Sequence, residues 1–474
     1  MRPGTACPGA VRREHDSLGD GDVPEAALWG ISTLRAVENF PVSGRTIGSL
    51  RSLVWSLGAV KFAAARANEG LGLLDSEKSQ AIQRAAQEVM DGRLDEHFVV
   101  DAIQGGAGTS TNMNANEVVA NRTLELLGRR RGDYAALHPI DHVNRSQSTN
   151  DVYPTAVKLA LHRELVELCA EHGRLIEAFS AKSAEFSGVL KVGRTQLQDA
   201  VPMSLGQEFG AFAETLREDG KRLVELLPHL LESNLGATAI GTGITAPAGY
   251  RDAVIRELRA VTGLPLVSSS DLIEATGDTG VFLLVSGVLK RAAVKLSKIC
   301  NDLRLLSSGP QAGFGEILLP AVQAGSSIMP GKVNPVIPEM VNQVAFRVVG
   351  ADATVTMAVE AGQLQLNAFE PVMADALLES LSWLGTACRQ LRTRCVDGIQ
   401  ANTRLLEERM LGSISVVTGL APLLGYGVAA ELAKEALASN RGLADLVVER
   451  GLLSASEAAE ALSPRSLAGL DTVG

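Results

Sequence analysis

Hydrophobic residues recur at helical spacing along most of the chain, whereas alternating strand patterns are scarce. Between residues 49 and 68, one helix face carries the apolar residues Leu50, Leu53, Val54, Leu57 and Ala64. Longer helices are predicted at about residues 155–186, 204–232, 280–307 and 338–369. Each exceeds the mean helix length of about 11–12 residues in globular proteins. The pattern therefore predicts an all-α protein.

The 280–307 segment predicts how these helices pack. Its apolar stripe is continuous and consists of Val285, Val288, Leu289, Ala292, Leu296, Ile299, Leu303 and Leu306. Such a stripe is typical of a helix that packs along most of its length in a bundle. Aromatic residues make up only 4% of the chain, so the core must be mainly Leu, Ala and Val, which allows long helices to approach closely. We expect a rod-like central bundle.

Glycine and proline breaks divide the chain, and its length suggests roughly three domains at about 150 residues each. We predict an N-terminal helical domain at 1–149, a central long-helix bundle domain at 150–403 and a small C-terminal helical domain at 404–474. In the last of these, Ser454 and Glu457 have the spacing of a capping box at the start of a short helix.

Composition excludes several classes of protein. There are 44 Lys and Arg against 54 Asp and Glu, a formal charge of −10, so a broad basic surface for nucleic acid is not expected. The five cysteines form no C-x-x-C pair, which argues against disulfides and zinc and favours a reducing compartment. Neither a signal peptide nor a run of about 18–20 apolar residues is found, so we expect a soluble, cytoplasmic protein without membrane partners.

Two glycine-rich segments resemble nucleotide loops without matching them. Residues 325–333 have five residues between the glycines where a P-loop has four, and Val333 stands where a magnesium-binding Ser or Thr is needed. The 236–243 segment does not spell G-x-G-x-x-G. The seven histidines include no metalloprotease pattern, and no metal site is predicted.

Three polar, hydroxyl-rich clusters lie between the predicted helices, at residues 108–112 (GTSTN), 146–151 (SQSTND) and 193–199 (GRTQLQD). Each alone is also what a helix cap requires, because Ser, Thr and Asn satisfy exposed backbone N–H groups. Three such clusters together with the Lys332 loop favour a ligand. Neutral donors, one fixed cation and helix N-termini suit a small dicarboxylate.

The loop GSSIMPGKVNP, residues 325–335, resembles the signature loop of the aspartase/fumarase superfamily, and the three clusters resemble its other active-site segments. The resemblance extends from about residue 14 to about residue 453. It implies a three-domain all-α subunit with a central long-helix bundle. It also implies a homotetramer in which each active site is built from three chains. No cofactor is implied, and a divalent activator such as Mg²⁺ is not predicted from the sequence.

The resemblance also implies a reaction and a role for each matching residue. Members remove a proton beside one carboxylate and expel a leaving group from the neighbouring carbon, which gives fumarate through a doubly charged aci-carboxylate. Such a species needs donors placed for charge that develops in the transition state. Thr109, Ser148 and Thr149 are expected around the β-carboxylate, Thr195, Lys332 and Asn334 around the α-carboxylate, and Asn150 at the amino group.

Ser326 matches the general base of the family, and Ser327 would be a neighbouring donor. A free hydroxyl is a poor proton acceptor, so its alkoxide must be stabilised. Backbone N–H groups of the loop and the Lys332 charge could do so once loop closure expels water. A serine chosen only for loop flexibility is the competing interpretation.

Gln196 bears on the leaving group, because many superfamily members carry histidine there and glutamine cannot shuttle a proton. Aspartate can release neutral ammonia without an added acid, whereas adding water to fumarate benefits from a titratable group. We therefore expect an ammonia-lyase acting on L-aspartate. A fumarate hydratase, a lyase for a larger succinyl-type substrate and a non-catalytic structural member stay open as alternatives.

Overall fold

Helices dominate the computed structural model, which describes residues 10–325, 327–439 and 441–468. Up to residue 394 the helices of this part of the chain are α1 Ile31–Asn39, α2 Arg51–Gly70, α3 Ser76–Met90, α4 Thr109–Leu126, α5 Thr149–Glu185, α6 Leu205–Leu226, α7 Tyr250–Thr262, α8 Leu272–Gly277, α9 Gly280–Leu306, α10 Val336–Glu360 and α11 Glu370–Arg394. The helices that follow are α12 Thr403–Gly412, α13 Ala421–Leu424, α14 Tyr426–Ser439, α15 Leu443–Glu449, α16 Ala455–Ala461 and α17 Pro464–Leu467. The predicted all-α class is confirmed.

The described strands form four small two-stranded sheets. They are β1 Val11–Asp16, β2 Gly19–Pro24, β3 Leu190–Thr195, β4 Gln198–Ser204, β5 Glu232–Ser233, β6 Val267–Ser268, β7 Ile317–Leu318 and β8 Gln400–Ala401. The pairs β1–β2, β3–β4 and β7–β8 are antiparallel, and β5–β6 is parallel. The β3–β4 hairpin matters most for function, because it carries one of the three polar clusters.

Three of the four long predicted helices are found with small differences at their ends, as α5, α6 and α9. The α6 prediction ran too far, because Pro228 cannot continue the helix and the chain tightens into a 3₁₀ turn at Leu227–Leu231. The capping box at Ser454 is confirmed: its side chain accepts from the Glu457 N–H, and Glu457 returns a bond to the Ser454 N–H.

The predicted helix at 338–369 is wrong at its C-terminal end, where α10 stops at Glu360. Asn367 folds back beside Gly362 and donates to the Ala358 carbonyl at 2.9 Å, which satisfies one of the last carbonyls of the helix. A β-carbon at Gly362 would lie 2.7 Å from the Asn367 amide nitrogen. The chain then begins α11 at Glu370, a long helix that was not predicted from the sequence.

Backbone contacts divide the chain into two compact units, each assembled from three segments. The first contains Met1–Cys169, Arg222–Arg291 and Arg347–Leu384, and the second contains Ala170–Lys221, Ala292–Phe346 and Gly385–Gly474. The division into domains at 1–149, 150–403 and 404–474 stays a prediction.

Each unit has its own core. In the first, α2 packs against α3, α4 and α7 through fully buried side chains such as Leu57, Ile82 and Val254. In the second, Phe179 of α5 and Phe186, which directly follows α5, meet Phe209 and Phe212 of α6, with ring centroids 5.3–6.0 Å apart. These four rings help to form the core of the second unit.

Candidate active site

The N-termini of α4 and α5 meet in the first unit. Gly108, which precedes α4, has a φ of 87°, and a β-carbon there would overlap the ring of Tyr153 in the first turn of α5. Asn112 of α4 also donates to the Thr149 hydroxyl at 3.0 Å. Because each helix N-terminus carries partial positive charge, their meeting creates a place suited to an anion.

The hydroxyls predicted around the β-carboxylate lie at these two helix starts. Ser148 acts partly as a helix cap, since its oxygen accepts from the Asn150 N–H at 3.2 Å. Thr109 is exposed, and its hydroxyl donates to the Gly106 carbonyl at 2.6 Å. Thr149 is half-buried. The first unit thus brings Thr109, Ser148 and Thr149 to one pair of helix ends.

Asp151 fixes the start of α5 to the loop that follows β5. Its carboxylate accepts backbone N–H groups of Ser148 at 3.0 Å, Gly236 at 3.1 Å and Thr238 at 2.9 Å. Burial raises the pKa of Asp151 to about 6, even though these bonds and Lys61 oppose the shift. The carboxylate therefore has a positioning task, and its three backbone donors explain how it remains inside the protein.

Asn150 is held by the same loop. Its side-chain nitrogen donates to the Ala239 carbonyl at 2.7 Å, and Asn234 donates to the Asn150 backbone carbonyl at 3.0 Å. With the amide nitrogen oriented in this way, the Asn150 side-chain oxygen is the atom that suits an ammonium donor. The position agrees with the expected role at the substrate amino group, which stays a prediction.

The sequence analysis missed Lys61, which is fully buried in α2. Its ammonium donates to three side-chain amide oxygens: Asn112 at 2.8 Å, Asn144 at 2.9 Å and Gln147 at 3.0 Å. Burial lowers the pKa of Lys61 to about 7. A signal was present, because Lys61 follows Leu57 by four residues and therefore lies on the apolar face of its helix.

The second unit holds the 193–199 cluster, which lies in the β3–β4 hairpin between α5 and α6. Thr195 pairs with Gln198, so Gln196 and Leu197 are the two central residues of the turn. Their φ angles are 54° and 62°, as a type I′ turn requires. Such a turn normally uses Asn and Gly, so two larger side chains in this conformation are strained and project from the tip.

Glu316 anchors the base of this hairpin within the second unit. Its buried carboxylate lies 2.7 Å from Lys191, 2.5 Å from Arg194 and 3.6 Å from Arg409 of α12. Burial alone would raise the pKa of Glu316, but the hydrogen bonds and charges of Arg194 and Lys191 together outweigh it, so the pKa is lowered. A cavity of about 340 Å³ adjoins this cluster and is lined by Val192, Arg194, Asp199, Glu316, Leu406, Arg409 and Ser413.

In the loop of residues 325–335, also in the second unit, Gly325 lies close to Lys332 and Asn334. Asn334 donates to the Gly325 carbonyl at 2.9 Å, and a β-carbon on Gly325 would collide with the Lys332 carbonyl oxygen. Ser327 and Lys332 are exposed. Ser326, the predicted base, lies outside the described residues. The close approach explains why this loop requires glycine at 325.

The first unit thus presents hydroxyl and amide groups at two adjoining helix ends beside a buried lysine, which is chemistry suited to a small anion. The second unit separately presents the 193–199 hairpin and the loop that carries Lys332. Two family models match the chain: "Lyase" over residues 19–350 and "Fumarase C C-terminus" over residues 416–469. The chain belongs to this family of lyases.

Several known proteins are similar over nearly the whole chain. Aspartate ammonia-lyase from Pseudomonas fluorescens is 56% identical over 459 residues, covering 97% of this chain and 96% of that protein. A crystal structure of fumarate lyase:delta crystallin from Brucella melitensis bound to cobalt is 56% identical, with a TM-score of 0.94 over 97% of this chain and 100% of that chain. The recombinant class II fumarase from Schistosoma mansoni is 35% identical, with a TM-score of 0.91 over 97% and 99% of the two chains.

Among the described residues, no helix combines the length and the apolar character that crossing a bilayer requires.

Proposed function

We propose that this protein is an aspartate ammonia-lyase, which reversibly converts L-aspartate to fumarate and ammonia. The observation that carries the proposal is the 56% identity, almost end to end, to a protein of that name. The class II fumarase, at 35% identity over a similar span, is a more distant relative. The sequence also keeps every hydroxyl, amide and lysine that the proposed chemistry needs.

The proposed reaction begins with removal of a proton from the carbon beside the β-carboxylate. The Ser326 alkoxide takes this proton, and the electron pair moves into the β-carboxylate to form the aci-carboxylate. Thr109, Ser148 and Thr149 donate to this group, whose charge increases in the transition state. The meeting of the α4 and α5 N-termini supports this placement, because both helix ends favour the added negative charge.

The carbon–nitrogen bond then breaks, its electron pair leaves with nitrogen as neutral ammonia, and the carbon–carbon double bond of fumarate forms. Asn150 orients the ammonium group before departure, while Thr195, Lys332 and Asn334 bind the α-carboxylate. Ser327 supplies a further donor. Gln196, at the hairpin tip, is a hydrogen-bonding residue without a titratable proton, which suits a leaving group that needs no added acid.

The proposal includes assembly as a homotetramer with active sites shared by three chains. Exposed apolar side chains on α10 support association, since Phe346 is 66% and Met357 is 73% exposed, and Val349 is exposed beside them. Eleven residues separate Phe346 from Met357, which returns to nearly the same helix face. An apolar face of this kind suits contact with another chain.

No cofactor takes part in the proposed chemistry, in which every proton and electron pair is handled by the substrate and the side chains named above. A divalent cation such as Mg²⁺ would act only as an activator. We propose the cytoplasm as the compartment. Support comes from Cys300, Cys388 and Cys395, which are buried free thiols.

The test is a comparison of L-aspartate and L-malate as substrates of the purified protein, with fumarate absorbance as the readout. We expect fumarate from L-aspartate at a rate far above that from L-malate. Faster turnover of malate would replace the proposal with a fumarate hydratase. No fumarate from either substrate by a folded tetramer would favour a larger succinyl-type substrate or a structural role.

A further inference from the structure

Lys61 is a buried lysine, and in the part of the chain that the structure describes it makes no ion pair with a carboxylate. Its ammonium is fully buried, and among the residues that the structure describes its hydrogen-bond acceptors are the neutral amide oxygens of Asn112, Asn144 and Gln147. Burying an ammonium without a contacting anion is costly, and proteins normally avoid it by pairing the charge or releasing the proton. The arrangement calls for an explanation.

The three amides are held so that their oxygens face the lysine. Gln147 donates its side-chain nitrogen to the Val143 carbonyl at 3.0 Å, and Asn144 donates its own to the Gln147 backbone carbonyl at 3.2 Å. Asn112 donates to Thr149 at 3.0 Å and to Asn144 at 3.2 Å. A cage of amide dipoles is thus oriented toward a cation, and neutral lysine would use only part of it.

Asn112 connects this cage directly to the candidate active site. Its oxygen accepts from Lys61, and its nitrogen donates to the Thr149 hydroxyl, so Thr149 is directed to donate its own proton outward. Protonated Lys61 polarises the Asn112 amide. This strengthens the Asn112–Thr149 hydrogen bond and makes the Thr149 hydroxyl a better donor to a bound ligand. An anion bound at Thr149 would therefore meet both a donor and the field of a buried charge.

We propose that Lys61 is a positioning residue that completes its charge balance with the β-carboxylate of the substrate, so that the protein takes up a proton at Lys61 when a dicarboxylate binds. The inference rests on the proposed function, because it assigns the carboxylate to Thr149. It adds Lys61 to the hydroxyl donors Thr109, Ser148 and Thr149 as a group whose protonation is coupled to substrate binding.

The ionisable surroundings of Lys61 are compatible with this coupling. Asp151, at the start of α5, is the group whose charge acts on it, while Asn112 faces it from α4. Tyr250 of α7 faces Asp151 with a buried phenol whose pKa is raised, so it stays neutral. Asp151 is already committed to three backbone N–H groups, which weakens its ability to serve as the partner of Lys61.

The experiment measures proton uptake when succinate, a non-reacting dicarboxylate, binds to the whole protein. Titration calorimetry near pH 8 in buffers of different ionisation enthalpy gives the number of protons. Because burial lowers the pKa of Lys61 to about 7, we expect uptake of up to about 0.9 proton per site. Succinate affinity should fall as pH rises above that value. Binding without uptake by the wild-type protein would overturn the proposal.

Two variants assign the proton to Lys61. Lys61→Met should lose the uptake and the pH dependence of affinity. Asn112→Asp keeps the lysine but places a carboxylate on it, so the ammonium is already charged and uptake should also disappear. Lys158→Met is the matched control, since burial also lowers the pKa of Lys158, which donates to the Glu232 carbonyl at 3.1 Å. It should retain the wild-type uptake.

Uptake that persists in folded Lys61→Met would overturn the inference, and if that variant does not fold, uptake that persists in Asn112→Asp would overturn it. The aspartate assay is run on the same wild-type preparation, so that the proposed function and the proposed role of Lys61 are tested independently. A protein that forms fumarate from aspartate but binds succinate without a proton keeps the proposed function and loses the role of Lys61. A protein that forms no fumarate loses the proposed function.

Discussion

The α-carbon of Gly108 lies against the aromatic ring of Tyr153, with no space between them for a β-carbon. This contact joins the start of α4 to the first turn of α5, and Thr109 follows Gly108 directly. It therefore sets the position of one proposed carboxylate donor relative to Ser148 and Thr149.

Gly108→Ala should destabilise the protein and lower kcat/KM, because the new β-carbon must push α4 away from Tyr153. Gly106→Ala is the control, since Gly106 has a φ of 88° but its β-carbon would meet only Thr109, at 3.6 Å. The control should lose about 1 kcal/mol from left-handed strain alone, and Gly108→Ala at least about 2 kcal/mol more. Denaturant unfolding measures both, and equal losses would remove the Tyr153 contact as the cause.

Ser326→Ala should fold normally and lose most turnover, because removing a general base typically lowers kcat by roughly 10²–10⁴-fold. Ser327→Ala, which changes the adjacent serine, should lose less, as expected for a supporting donor. Fumarate absorbance under saturating aspartate measures kcat, and circular dichroism checks the fold. Near-normal turnover by folded Ser326→Ala would remove this residue from its role.

Leu197→Gly should stabilise the β3–β4 hairpin, because glycine adopts a φ of 62° without strain. Leu197 is 62% exposed, so little apolar burial is lost. We expect a gain of about 0.5–1 kcal/mol after the flexibility of glycine in the unfolded chain is counted. Leu18→Gly is the control, because Leu18 is also an exposed hairpin-turn leucine but its φ is not positive. A loss of stability in both variants would contradict the strain at Leu197.

Protonation of His172 should destabilise the folded protein in mild acid. Burial lowers the pKa of His172 to about 4 from the ordinary 6.5, so the unfolded chain binds more protons between these values. Stability is therefore lost as pH falls through this window, by roughly 2–4 kcal/mol for this group. His172→Gln should lose less stability than the wild type between pH values of about 6.5 and 4, whereas exposed His229→Gln should behave like the wild type. If the free energy of unfolding had the same pH dependence in all three proteins, His172 would not be the group responsible.

The sequence predicted the helices well where a single apolar stripe runs without interruption, as in α9. It placed the end of α10 at residue 369 instead of Glu360, because that end depends on Asn367 folding back to the Ala358 carbonyl, a contact formed only in the folded chain. The hairpin tip was also missed. Type I′ turns are predicted from glycine or asparagine, and Gln196 with Leu197 gives no such signal.

The candidate site was predicted from motifs and resemblance, and the structure adds the contacts between its parts. Ser148, Thr149 and Asn150 could be predicted as a polar cluster at a helix start. Lys61 could not be assigned from its spacing alone, because a charge on an apolar face has no defined partner until α4 and α5 are placed beside it. Tertiary packing, not local sequence, supplies that relationship.

The most direct test of the proposed chemistry is the reverse reaction, followed by NMR after incubating the protein with fumarate and ammonium in D₂O. An ammonia-lyase that delivers a proton through one fixed base predicts aspartate with a single deuterium on the carbon beside its β-carboxylate, in one stereochemical position. Malate as the main product, or deuterium distributed over both positions of that carbon, would contradict the account.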